Sequence, residues 1–551
     1  MASERPADLV LRGGQVTTMD AARRIVSAIA VRDGRIVAVG PDSSVGAHVG
    51  PSTRVIELRG RTVTPGFQDA HVHPVHGGLA RLRCELHDTR GREAYLAVIA
   101  EYARTHPDEA WIRGGGWYMD DFPGGTPRRE DLDAIVPDRP VFLSNRDGHG
   151  AWANSRALEI AGVAAATTDP ADGRIERDPD GTPTGTLHEG AMDLVERHLP
   201  DDTPADLEAA LRLGQAYLHS LGITAWQDAI VTPGVEERAY VALASRGELT
   251  GRVVGAMWWE RHRGAEQIEE FVARRAATSI GRYQATSVKL MMDGVLENFT
   301  GAMLEPYLGA DGQPTDNRGL SQIDPEGLKT WVPQLDALGF QPHFHAIGDR
   351  AVRESLDAVE AARRANGPSD TRPHIAHIQV IHPDDIVRFR ELDVVANAQP
   401  YWACHEGQMD RLTIPFLGPM RATWQYPFRS LRAAGAVLAM GSDWSVSTPD
   451  PLLEMELAVE RVADESRGQR EPFLPDERLD LVDALAAFTA GSAYVNHLDT
   501  ETGTLEVGRA ADLAVLDRDL FDRGAGPIGD ACVVATFVAG EAVYEDAALG
   551  G

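Results

Sequence analysis

The stretch Thr64-Pro65-Gly66-Phe67-Gln68-Asp69-Ala70-His71-Val72-His73-Pro74 decides the fold. Its apolar run predicts a strand over residues 63–70, with Pro74 ending the extended segment. Side chains two apart on a strand face the same side, so His71 and His73 point together at its end. Two converging imidazoles can take one divalent metal ion at about 2.0–2.1 Å. Alone, a His-x-His pair is a weak signal and more often marks structural histidines than a site. Its weight depends on what the rest of the chain sets beside it.

Working outward, seven further runs read as strands: 223–228, 252–258, 287–292, 342–346, 374–378, 394–399 and 437–442. Amphipathic stretches at 325–338, 350–365, 383–391 and 451–463 fall between or after the later ones. In His382-Pro383-Asp384-Asp385, proline and acids open a helix as expected. Eight strands alternating with crossover helices predict an α/β protein, a (β/α)8 TIM-type barrel whose chemistry sits at the C-terminal mouth. Both chain ends carry short alternating strands, among them the hairpin around Asp33-Gly34 and a turn at Ala539-Gly540. Neither end can bury a good core alone. The expected organisation is therefore one β-sandwich built from residues 1–62 and 501–551, flanking a barrel domain over 63–500. Between the first and second barrel strands lie about 140 residues, far beyond a usual connection. This segment, about 74–215, predicts an inserted subdomain over the mouth.

The 551 residues include 53 Lys+Arg against 83 Asp+Glu, a formal net charge of −30. Such a surface repels phosphate backbones and anionic lipid, which argues against nucleic-acid or membrane partners. No apolar leader or membrane span is evident in the sequence. Three separated cysteines, Cys84, Cys404 and Cys532, form no Cys-x-x-Cys pair, so neither disulfides nor a thiolate site is indicated. A cytoplasmic enzyme with a small-molecule substrate is the expectation, with homo-oligomerisation left open.

Later strands end in further ligand types. His343 and His345 share one face of their strand, His377 closes the next, and Asp443 follows the last. Core packing alone rarely puts His or Asp at one end of three separated strands. Lys289 adds a candidate from another strand, in a chain with only two lysines, Lys289 and Lys329. Its apolar neighbours predict burial, which lowers the amine pKa. A neutral lysine amine can add carbon dioxide to form a carbamate, a bridging oxygen ligand; arginine cannot. The alternative is a buried pair with Asp293.

With these residues in place, the chain resembles the amidohydrolase superfamily, and within it the amidohydrolase-3 group of YtcJ-like proteins and N-substituted formamide deformylases. The likeness runs through Pro65–His73, Asp147-Gly148-His149 with Trp152 and Asn154, Lys289 to Gly294, His345 to Asp349, Ala376 to Gln379, Gly441 to Trp444 and Gly508 to Leu516. The resemblance implies one or two divalent ions, zinc first among them. His71, His73 and Asp443 would hold one, and His345 and His377 a second bridged by carboxylated Lys289. With a single ion, one of His345 or His377 would join the first three. It further implies a hydrolase cleaving the C–N bond of an amide, formamide or N-acyl amine. Asp443 would move the proton and His149 would face the developing oxyanion. Trp152, Glu189 and Asp293 would be substrate contacts, and Asp349 would support His345. For His149 and Trp152 a structural role in the insertion is the alternative; for Glu189, a solvated or helix-starting glutamate. An esterase, lactonase or deaminase on the same site, or an inactive scaffold, are the competing functions.

Overall fold

In the computed structural model, eight parallel strands form the central sheet: β1 (Phe67–Val72), β2 (Ile223–Val231), β3 (Arg252–Trp258), β4 (Tyr283–Met291), β5 (Gln341–Ala346), β6 (His374–His377), β7 (Val395–Ala398) and β8 (Leu438–Met440). They pair in chain order, as the TIM-type barrel reading requires. The structure describes residues 5–550; residues 1–4 and 551, the outermost ends of the expected terminal segments, lie outside the described residues. The two edge strands are tied together just past β8. The Asp443 amide donates to the His71 carbonyl at 2.7 Å. The Asp69 carboxylate accepts from the Ser442 amide at 3.1 Å and its hydroxyl at 2.6 Å.

Outward-facing residues such as Trp226, Leu290, Phe344 and Ile375 join one large apolar core. Helix Asp349–Asn366 meets it with Ala351, Val352, Ser355, Leu356, Val359 and Ala362, the three-and-four spacing of one helix face. The barrel interior is polar instead. Gln227 donates to Gln341 at 2.9 Å, His374 meets Gln227 at 3.0 Å, and Asn397 meets His374 at 3.1 Å. Buried polar groups persist only where they find partners, and here they find them across strands.

The strand expected over 63–70 is two strands. Thr62–Pro65 pairs with Leu513–Leu516 in the terminal sheet, and only Phe67–Val72 belongs to the barrel. The break falls at Gly66, where a Cβ would lie 2.3 Å from Thr224 Cγ2; only glycine lets the backbone pass so close. The two chain ends do share one eight-stranded sheet, with Leu9–Thr17 pairing to Arg54–Glu57 by one half and Thr62–Pro65 by the other. It closes over Leu11, Ile29, Val31, Ile56, Leu513 and Val515.

The insertion carries its own six-stranded sheet, from Cys84–Glu85 to Pro183–Glu189, with an apolar cluster on each face. Two neighbouring strand ends of this sheet, at His149 and Glu189, reach down to the barrel mouth. The helix Pro204–Ser220, opened by a reciprocal cap between Thr203 and Asp206, then leads into β2. Among the described residues no helix is long and apolar enough to cross a membrane.

Candidate metal centre

His71 and His73 leave the end of β1 together, as the strand period requires, and meet Asp443 from the turn after β8. One ligand atom from each of the three lies within 4.8 Å of the others. His73 Nε2 stands 2.9 Å and His71 Nε2 3.3 Å from Asp443 Oδ1. All three side chains are buried. Lys289, from β4, brings Nζ to 3.3 Å from His71 Nε2. His345 and His377, at the ends of β5 and β6, stand beside this cluster. Their rings are 4.5 Å apart, and His377 Nδ1 is 4.0 Å from Asp443 Oδ2.

The donor set fits a divalent ion. Burial, with positive neighbours such as Lys289, pushes His71, His345 and His377 well below the usual histidine range, and burial also lowers His73. Neutral imidazoles are the form that ligates. Burial would raise Asp443, but the His73 hydrogen bond and the charges around it hold the carboxylate below its ordinary value. The buried Nδ1 of His377, 4.0 Å from Asp443 Oδ2, has no hydrogen-bond partner among the described residues, a costly state that ligation through that nitrogen can relieve. Burial brings the Lys289 amine down to about 7, so a neutral nitrogen is available near neutrality.

Across the cluster, His149 Nδ1 pairs with Glu189 Oε1 at 3.0 Å. Glu189 also accepts from the Thr300 hydroxyl at 2.8 Å and from Gln322 at 3.1 Å. Burial opposes the His149 charge, yet Glu189 outweighs it and carries His149 up to about 9. Glu189, His377 and Asp443 all have left-handed backbone, with φ of 51°, 74° and 55°. Such conformations are strained for residues with a Cβ and gather where geometry matters.

A two-lobed cavity opens on these groups, with His149, His345, His377 and Asp443 shared by both lobes. One lobe, of about 720 Å³, is walled by Tyr118, Arg146, Tyr401, Trp402, Met409 and Tyr426. The other, of about 1590 Å³, runs under the insertion past His76, Arg83, Gly115 and Arg261.

Three expected roles do not survive the geometry. Trp152 does not wall the cavity: it is fully buried in the insertion, against Trp117 and Phe122, with Nε1 donating to the Arg128 carbonyl at 2.8 Å. Asp293 is fully buried and lines neither lobe of the cavity. It accepts from the amides of Ala302, Ile347 and Gly348, and its Oδ1 is 3.2 Å from His345 Nδ1. Asp293 is thus the residue that backs His345. Asp349, expected there, accepts from the Leu304 amide instead. Glu189 does line the cavity. Sequence reasoning missed Asp69, two residues before His71 but visible only through its partner Ser442. It also missed the aromatic lobe, whose Tyr401, Trp402 and Met409 lie in single 3-10 and π-helical turns too short to show a periodicity.

A model of the amidohydrolase family matches residues 54–544. Protein LONG AFTER FAR-RED 3 of Arabidopsis thaliana is 32% identical over 98% of this chain and 92% of its own length. An N-substituted formamide deformylase of Arthrobacter pascens is 28% identical, covering 98% of each. An uncharacterized metal-dependent hydrolase from Pyrococcus furiosus superposes with a TM-score of 0.70 at 26% identity, covering 93% of this chain and 99% of that one. The chain belongs to the amidohydrolase family.

Proposed function

We propose that this protein is a metal-dependent hydrolase that cleaves the C–N bond of a formamide, amide or N-acyl amine. The observation that carries the reading is the convergence of His71, His73 and Asp443 at one end of the barrel. The formamide deformylase among its full-length relatives supports the bond type. His71, His73 and Asp443 would hold a divalent ion, zinc being the first candidate, with His345, His377 and carboxylated Lys289 extending the site to a second. When bound, the ion supplies Lewis acidity, polarising a carbonyl and lowering the pKa of water.

The chain's own groups do the rest. Asp443 takes the proton of the attacking water on a carboxylate oxygen as the C–O bond forms. It then returns that proton to the nitrogen as the C–N bond breaks, leaving a carboxylic acid and an amine. His149, held protonated by Glu189, donates from its ring to the carbonyl oxygen as negative charge builds there. Tyr401, Trp402 and Tyr426 offer an apolar wall for the substituent on nitrogen. The insertion covers the mouth and limits water around the reacting atoms.

The test is a panel of N-formyl, N-acetyl, ester and lactone compounds offered to zinc- or manganese-loaded protein. Turnover of the N-formyl or N-acetyl members is expected to exceed that of matched esters and lactones. Preference for the oxygen esters would overturn the bond assignment, and failure to bind any divalent ion would overturn the reading as a whole.

A further inference from the structure

We propose that His343 is a positioning residue: it decides which nitrogen of His71 carries the proton, and hence which is free to ligate. The inference rests on the metal reading given above. His71 turns Nε2 toward the cluster, 3.3 Å from both Asp443 Oδ1 and Lys289 Nζ. Its other nitrogen, Nδ1, stands 2.8 Å from His343 Nε2, and both side chains are excluded from solvent. A neutral imidazole holds a single proton. For Nε2 to offer a lone pair, the His71 proton must sit on Nδ1 and be donated to His343.

That requirement fixes His343 as well. Its own proton must lie on Nδ1, a buried atom with no hydrogen-bond partner among the described residues. The opposite pairing has His343 Nε2–H donating to His71 Nδ1, and leaves a proton on His71 Nε2 facing the Asp443 carboxylate. The two imidazoles are therefore a two-position proton arrangement, and ligation selects one setting. In most metal sites a carboxylate, carbonyl or water accepts from the ligating histidine; here a second histidine does.

The neighbours do not take over this job. Asn397 Oδ1 accepts from Gln399 at 3.0 Å, which turns its amino group to the Ala70 carbonyl at 2.9 Å and to His374 Nδ1 at 3.1 Å. His374 must then carry its proton on Nε2, donated to Gln227 at 3.0 Å. Its ring centroid lies 3.9 Å from that of His343 with the planes tilted by 40°, a ring contact with no hydrogen bond between them. His71 is thus the one side-chain hydrogen-bond partner of His343 among the described residues.

The test uses the full chain, stripped of metal, titrated with Zn²⁺ against a competing chelator and with Co²⁺ by its visible spectrum. His343→Leu removes the acceptor; His343→Gln keeps a carbonyl oxygen in its place. The leucine variant should bind Zn²⁺ about 10- to 100-fold more weakly with an altered Co²⁺ spectrum, and the glutamine variant should recover most of the loss. Melting of the metal-free proteins reports folding separately, and His343→Met replaces the leucine variant if that does not fold. A leucine or methionine variant that binds within twofold of wild type with the same spectrum overturns the inference, as does a glutamine variant as weak as leucine. Wild-type protein that takes up neither ion would overturn the metal reading, and this inference with it.

Discussion

His73 Nε2 and Asp443 Oδ1 stand 2.9 Å apart although 370 residues of chain separate them. The first comes from β1 and the second from the turn after β8, so an ion held by both spans the seam where the barrel meets itself. Binding to the folded state alone stabilises by about 2.7 kcal/mol when free ligand is at 100 times its Kd. Metal-loaded protein should therefore melt several degrees above chelator-treated protein, and His71→Ala should erase the difference. Equal melting temperatures in zinc and in chelator would contradict the site.

Trp152 now carries a different expectation from the one its motif suggested. It fills the insertion core and satisfies the Arg128 carbonyl. Trp152→Ala should cost about 3–5 kcal/mol of stability, read by denaturant unfolding, while KM at permissive temperature stays near wild type. A large KM change in a stably folded variant would return Trp152 to the substrate site.

This contrast shows what a linear sequence can carry. His71 and His73 are legible because a period of two is a local property, and Asp443 because it ends an apolar run. Trp152 lies on a strand too, but alternation cannot say which face of an inserted sheet looks at the barrel. Asp293 and Asp349 both flank the candidate ligands in sequence. Only three backbone amides arriving from two loops make Asp293 the one beside His345. The split at Gly66 is marked locally only by the dipeptide Pro65-Gly66, and the close approach that requires it comes from Thr224, more than 150 residues later.

Lys289 tests the carbamate. Burial brings its amine to about 7, whereas arginine stays charged and cannot add carbon dioxide. Lys289→Arg and Lys289→Ala should both lose about 100-fold or more in turnover, the upper end of what loss of a supporting group costs. Added acetate or propionate should restore part of the activity to the alanine variant, whose vacated space can admit a carboxylate, and none to the arginine variant. An active Lys289→Arg enzyme would show that only a cation is needed.

His149 and Glu189 set the alkaline limit. The folded pKa of His149, about 9, lies above its ordinary 6.5. The pair's contribution to stability is therefore complete below about 6.5 and is lost as pH rises through about 9. Donation to the carbonyl oxygen by the charged ring follows the same curve, so kcat/KM should hold from neutrality to about 9 and fall beyond it. In Glu189→Gln the counter-charge is gone and burial, which disfavours the imidazolium, is left as the main influence. The alkaline limb should then move down by more than two pH units, with activity at pH 8 reduced far more than at pH 6. An unmoved limb in that variant would mean that a group other than His149 governs it.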